Sequence, residues 1–539
     1  MVVIRDSEAT LKLLYGDNFI NEILTFSGVI GFGVEVEEGE VRVEFNPDRP
    51  DLFAFSLLKG SMDTYNRKKG KNRQKIGSSK IAFIVEESAL RLRPYIVTFQ
   101  ASGNGIGKHF RELIDFQEKL HQTVGKDRLK VSIGIHDLKE LTPPFHYIAS
   151  RAAEVKFTTY DGTVSGSAEK ILEEHQKGRE YGSLLPSKSE VLIIRDSKGE
   201  VLSMPPVING RKSVISEETS DFFIDIEGVD QVSIRNAYFL LVNYFMNLGF
   251  KVLEIKQNLG GIKNLAEFDN RSNVVTKVEI GSVIGLDIPE TEIITLLERM
   301  GYATDLAGNS INVKVPGHRI DVMGPVDIIE DIAKAYGYSN IANMKPSIDL
   351  AGRERSTNTF FNKVRTIMLG LGYQEVMGFV VIASSFYGNL KYSGSAEILN
   401  PKSLDFSVIR DRLYLGIMDF FRLNSRRNLP QRVFEIGSVL VGMEQHTNLC
   451  IAIENSRSNF SDIKQILESL AARLGIVELK ITPGVAESLI SGRSGEISIG
   501  NVAIGIIGEM HPVVLDKFEI RNPVTMLELN LTKLNLILN

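Results

Sequence analysis

Residues 316–341 read PGHRIDVMGPVDIIEDIAKAYGYSNI, and no other stretch constrains its own folding as tightly. Ile328, Ile329, Ile332, Ala335 and Tyr336 recur on one side of a 3.6-residue period, with Asp327, Glu330, Asp331 and Lys334 on the other. A segment divided this way folds as an amphipathic helix with its apolar side on a core. Asp327, Glu330 and Asp331 stand at i, i+3 and i+4, and Asp321 precedes them by one short loop. Carboxylates this crowded repel one another unless positive charge sits among them. Two readings stay open. One is a solvated face whose acids suit a helix N-terminus. The other is a site for a hard divalent cation such as Mg2+, which takes oxygen ligands.

At 539 residues the chain is too long for one core, and on the order of three to five domains are expected. Its 43% hydrophobic and 24% charged content is that of ordinary globular domains. No run approaches the ~18 apolar residues of a membrane helix, and the acidic, mixed N-terminus is unlike a signal peptide. The single cysteine, Cys450, lies in the apolar run Leu449-Cys450-Ile451-Ala452-Ile453 and is expected in a core, which leaves no Cys/His zinc site. These features point to the cytoplasm. The net charge of −5 argues against a nucleic-acid coat but leaves room for a local basic surface. The densest basic run, residues 66–75, reads as an exposed loop and is equally compatible with a linker or an RNA contact.

Four blocks follow from the patterning. In block 1–80, Val34, Val36, Val41, Val43 and Phe45 alternate as strands, Asn46-Pro47-Asp48-Arg49-Pro50 turns, and a helix over 52–62 is expected behind Asp51 as N-cap. Block 81–270 mixes short strands with helices near 108–123, 167–175 and 233–248, an α+β arrangement. Residues 103–108 resemble a phosphate loop only superficially: Ser102 stands where the first Gly is needed and His109 replaces Ser/Thr. Block 271–345 carries the acidic helix, with strands expected at 278–280 and 311–315 and a helix opening at Asp287-Ile288-Pro289-Glu290 and closing at Gly301. Block 352–539 opens with a helix over 357–371, turns a hairpin at Gly500-Asn501, and ends in a strand over 524–531. The histidines, among them His136, His146, His175 and His318, are scattered, and spacing assembles no triad from them.

Several strings resemble the phenylalanyl-tRNA synthetase beta subunit in its short, archaeal or eukaryotic-type form. They include Arg49-Pro50-Asp51-Leu52, Arg93-Pro94-Tyr95-Ile96, Gly134-Ile135-His136-Asp137-Leu138, His175-x-Lys177-Gly178-Arg179-Glu180-Tyr181-Gly182, Met204-Pro205-Pro206, and the segment from Arg319-x-Asp321 through Tyr336-Gly337-Tyr338. The resemblance runs from Asn46 to about Leu531. It implies an α+β multidomain fold: winged-helix-like modules at 1–80 and 271–345, a mixed α/β editing-type domain at 81–270, and an antiparallel class II synthetase-like domain at 352–539.

It further implies Mg2+ on Asp321, Asp327, Glu330 and Asp331, where many relatives have Glu at the last position. Proofreading of Tyr-tRNA would fall on Asn209, Asp225 and Glu227. At two places the sequence departs from archaeal-like relatives: Asn209-Gly210 stands for Asn-Ser, and Asp225-Ile226-Glu227 for Asp-x-Thr. Each loses a hydroxyl, so weakened proofreading is expected. A class II active site needs arginine on ATP phosphates and a Gly-rich Glu-Arg element. Gly508-Glu509-Met510-His511-Pro512 occupies the comparable place, and Arg410 and Arg412 read as scaffold. The implied function is ATP-dependent charging of tRNA(Phe) with phenylalanine, in an (αβ)2 heterotetramer whose alpha subunit carries the chemistry. A free-standing deacylase of mischarged tRNA and a non-enzymatic RNA-binding assembly protein are the alternatives.

Overall fold

The computed structural model describes residues 1–67, 75–262, 271–346, 350–388, 396–484 and 486–538. Most of the basic run at 66–75 therefore lies outside the described residues. The chain divides into two compact units, Met1–Lys345 and Pro346–Asn539.

The first unit opens with a three-stranded antiparallel sheet in which Glu40–Phe45 lies between Val2–Ser7 and Gly33–Glu37. The alternation at Val41, Val43 and Phe45 buries all three, while Val36 stays exposed. Packed with this sheet are helices Phe19–Ile30 and Phe55–Tyr65. Asp51 does not cap the second of them. A 3-10 turn at Pro50–Leu52 intervenes, and Asp51 instead accepts from Arg49 Nε at 2.9 Å and Nη2 at 2.8 Å.

Among the described residues a nine-stranded mixed sheet follows. Its order is Ile208–Asn209, Val201–Met204, Glu190–Arg195, Phe145–Arg151, Gly77–Val85, Lys251–Gln257, Tyr95–Ser102, Asp221–Gly228, Val131–Asp137. Helix Gln231–Asn247, capped by Asp230 on the Ser233 N–H at 2.9 Å, supplies Ile234, Tyr238, Leu241 and Phe245 to the core beneath it. Residues 103–108 form a turn into helix Phe110–Gln122, with Gly105 and Gly107 at positive φ.

The acidic helix belongs to a third module of this unit. Its sheet places Ser310–Lys314 between Ser272–Thr276 and Ala303–Ala307, with helices Lys277–Ile284, Glu290–Arg299 and Pro325–Tyr336 around it. The strand expected at 278–280 is helical. Thr276 and Glu279 form a reciprocal capping box that starts a helix at Lys277, and the strand is the segment before it.

In the second unit a seven-stranded sheet is antiparallel except where Gln374–Glu375 joins one edge in parallel. Alternate residues of Glu444–Glu454 face two cores. Leu449 and Ile451 meet helices Ser356–Gly370 and Phe460–Leu474, while Cys450 and Ala452 meet helix Tyr414–Leu423. Burial pushes the Cys450 thiol up, as suits a packing residue. The hairpin at Gly500-Asn501 pairs Ile499 with Val502.

Candidate functional site

Helix Pro325–Tyr336 forms as its sequence dictates: Pro325 starts it and Ile328, Ile332 and Ala335 enter the core. Its three acids, and Asp321 ahead of it, receive different partners. Asp327 turns back on the helix entrance, where its Oδ2 accepts from the N–H groups of Met323 and Gly324, both at 2.8 Å. Asp331 is buried; its Oδ2 accepts from Tyr302 Oη and Arg319 Nη2, each at 2.6 Å. Arg319 also grips Asp321, Nε to Oδ1 at 2.9 Å and Nη2 to Oδ2 at 2.7 Å. Glu330 is exposed and pairs with Lys334 at 3.1 Å. Asp321 lies 3.9 Å from Arg49, so the Arg-Pro-Asp-Leu segment meets the acidic module through charge. Burial pushes the Asp321 carboxyl up, but the hydrogen bonds and charge of Arg319, with the charge of Arg49, outweigh it and hold it at about 2.

The positive charge between Asp321 and Asp331 is thus Arg319, while Lys334 serves Glu330 and backbone N–H groups serve Asp327. As donors the four acids have the right chemistry for a hard cation: all are carboxylate oxygens. Asp327 and Asp331 are bonded through Oδ2 and Glu330 through Oε1, so the other oxygen of each lies outside these bonds. In this arrangement, however, no group of three acidic, histidine or cysteine side chains converges as a metal ion requires, among the described residues.

The proofreading candidates lie on the nine-stranded sheet. Asp225 and Glu227 share one face of strand Asp221–Gly228, and both are buried. Asp225 Oδ2 is 2.7 Å from His136 Nε2, and His136 Nδ1 is 2.9 Å from Ser213 Oγ. Ser213, His136 and Asp225 therefore have the connectivity of a catalytic triad. Yet Ser213 is 1% exposed and its hydroxyl donates to the Leu202 carbonyl at 2.9 Å, so no substrate reaches it. Gly134 makes room for the pair: a Cβ there would stand 2.1 Å from Asp225 Oδ2 and 2.6 Å from His136 Nε2. Sequence reading left His136 among the scattered histidines. The missed signal was its place on a strand that pairs with Asp221–Gly228, opposite Phe223.

Glu227 is bonded to Arg93 Nε, and Arg93 Nη2 donates to the Arg128 carbonyl at 3.2 Å. Burial pushes the Glu227 carboxyl up to about 7 against the pull of Arg93. Asn209 lies on the short edge strand Ile208–Asn209, where its carbonyl accepts from the Tyr160 N–H at 3.0 Å. At the next residue, Gly210, a Cβ would meet the Val201 carbonyl oxygen at 2.2 Å. A serine cannot stand there without moving the edge strand. The two departures from Asn-Ser and Asp-x-Thr are thus built into the packing.

In the second unit, Arg410 is 2% exposed; its Nη1 donates to Glu435 Oε1 at 2.7 Å and its Nε to the Ser438 carbonyl at 2.9 Å. Gly437 permits this, since a Cβ would meet Arg410 Nη2 at 2.3 Å. Arg412 makes two 2.7 Å bonds to Asp411. Glu528, buried beside them, accepts from the N–H groups of Leu413 and Tyr414 and from Asn448. Arg410 and Arg412 are therefore both engaged by internal carboxylates.

Arg410 and Arg412 are thus held in internal pairs within the second unit. Residues 341–531 match the family described as phenylalanyl tRNA synthetase beta chain CLM domain, 274–338 the tRNA synthetase B5 domain, and 104–241 the B3/4 domain. The chain is 40% identical over 537 residues to the phenylalanine–tRNA ligase beta subunit of Thermoplasma volcanium, covering 99% of each. It is 38% identical to that of Thermoplasma acidophilum, covering 99% of this chain and 98% of the relative. An N-terminal fragment of the phenylalanyl-tRNA synthetase beta subunit from Pyrococcus horikoshii superposes with a TM-score of 0.57 at 29% identity, covering 62% of this chain and all of the fragment. The chain belongs to the phenylalanine–tRNA ligase beta subunit family.

Two predictions test this description. Replacing Arg319 by Met strands Asp331 and Asp321 without their cation and should destabilise the first unit by about 3–5 kcal/mol in urea unfolding. A loss under about 1 kcal/mol would show that Arg319 is not the central pair. The second concerns pH. Because the folded-state value of Glu227 is raised above its unfolded value, its ionisation opposes folding. That cost is absent below the unfolded value and complete above about 7. The unfolding free energy of Glu227→Gln should therefore improve relative to wild type between pH 5 and pH 8, and a pH-independent difference would contradict the raised value.

Proposed function

We propose that this chain is the non-catalytic subunit of a phenylalanine–tRNA ligase. With an alpha subunit it attaches phenylalanine to tRNA(Phe) using ATP and Mg2+, in the cytoplasm and as an (αβ)2 heterotetramer. The observation that carries this reading is the engagement of Arg410 and Arg412 by Glu435 and Asp411 on a catalytic-type sheet. ATP activation needs free guanidinium groups at the phosphates, so activation and transfer fall to the alpha subunit. An obligate partner is supported by the second unit itself, which leaves Met377, Phe379 and Leu404 between 73% and 92% exposed, with the Phe379 ring 5.5 Å from that of Phe406.

The nine-stranded sheet is the tRNA-proofreading module in this reading, with weakened hydrolysis of Tyr-tRNA. Support comes from the burial of Asp225 and Glu227 and from the absence of space at Gly210. The four carboxylates Asp321, Asp327, Glu330 and Asp331 hold Mg2+ only in the assembled enzyme, where water or the partner completes the ligand set. Support comes from their common carboxylate chemistry and the oxygen each of Asp327, Glu330 and Asp331 keeps outside its present bonds.

Co-expression with the alpha subunit, followed by phenylalanine charging, tests the central reading. The complex should charge tRNA(Phe), and this chain alone should not; charging by the isolated chain, or no complex, would overturn it. In the same preparation Tyr-tRNA(Phe) should hydrolyse only slowly, and fast hydrolysis abolished by Asp225→Ala would sink the weakened-proofreading reading. The pair Asp327→Ala with Glu330→Ala should lower bound Mg2+ and loosen the alpha–beta complex. Unchanged metal content and an unchanged tetramer would remove the cation from this helix.

A further inference from the structure

The first unit holds a cavity of about 430 Å3 that none of the ligase chemistry uses. It lies among helices Phe19–Ile30, Phe55–Tyr65, Gln231–Asn247 and Glu290–Arg299. A cavity of this size accepts a small organic molecule.

Its charged lining is lopsided. Arg49, Arg67, Arg299 and Arg319 face Asp51 and Glu298. Two of these cations are incompletely matched. Arg49 directs Nε and Nη2 to Asp51, but its Nη1 is buried with no hydrogen-bond partner, and its side chain is only 11% exposed. Arg299 makes no ion pair among the described residues. Its guanidinium lies 3.9 Å from the Tyr65 ring centre and its Nε donates to the Tyr65 carbonyl at 3.3 Å. A buried guanidinium nitrogen without an acceptor favours whatever brings one. Phe26, Ile30, Leu57 and Met300 give the wall an apolar stretch, beside the polar side chains of Ser61, Thr64, Asn243 and Asn247.

From this combination we infer that the cavity binds a small organic carboxylate with an apolar body. The carboxylate meets Arg49 and Arg299, and the body packs against Phe26, Leu57 and Met300. The inference is independent of the ligase reading, because it concerns binding to this chain alone.

Calorimetry on the full chain at constant ionic strength tests it, with benzoate as carboxylate-bearing probe, benzyl alcohol as its neutral counterpart and inorganic phosphate as an anion without an apolar body. Benzoate should bind saturably and more tightly than either of the others. Arg49→Gln should weaken it about ten-fold or more. Should that variant not fold, Ser61→Met decides the matter: Ser61 lines the cavity, and the longer side chain fills it and should weaken benzoate equally. No saturable benzoate binding, equal binding of benzyl alcohol, tighter binding of phosphate, or undiminished binding by Ser61→Met would each overturn the proposal.

Discussion

Moving a carboxylate out of water costs several kcal/mol or more unless a cation or several donors meet it inside. This chain buries carboxylates in both of its compact units, and the fold answers each in turn. Arg319 meets Asp331, Arg93 meets Glu227, His136 faces Asp225, and Arg410 meets Glu435. Glu528 is handled differently, by two backbone N–H groups and Asn448. Once such a pair is buried, losing either partner leaves the other stranded, so the surrounding strands and loops must keep both in register.

That requirement explains several local choices that look arbitrary in isolation. Gly134 and Gly437 are small because a paired side chain fills the space a Cβ would take. Tyr302 is turned toward Asp331 because one cation does not exhaust that carboxylate. The same requirement bears on function. A guanidinium or carboxylate held in such a pair has fewer hydrogen-bonding positions left for any other group. Arg410 in the second unit and Asp225 and Glu227 on the nine-stranded sheet are all held this way.

Much of the fold was legible in the sequence. The acidic helix, the strand alternation at Val41, Val43 and Phe45, the hairpin at Gly500-Asn501 and the core position of Cys450 all follow from local periodicity and turn chemistry. Local reading failed where two local signals competed. Asp51 has the form of a helix cap, but Arg49 two residues earlier binds it more strongly than an N–H would. The run at 278–280 has β-forming residues, but the Thr276–Glu279 box decides for helix.

The candidate sites divide the same way. By itself the sequence determined the family, the order of the modules, and the crowding of four carboxylates, because these depend on residue identity and spacing. Only the tertiary structure decided what neutralises them. Arg319 reaches Asp331 from twelve residues away, Arg93 reaches Glu227 across 134 and His136 faces Asp225 across 89. No periodicity encodes contacts at such separations. They exist because segments distant in the chain are packed together, as strands Val131–Asp137 and Asp221–Gly228 pair in one sheet, and burial makes the choice of partner an energetic necessity.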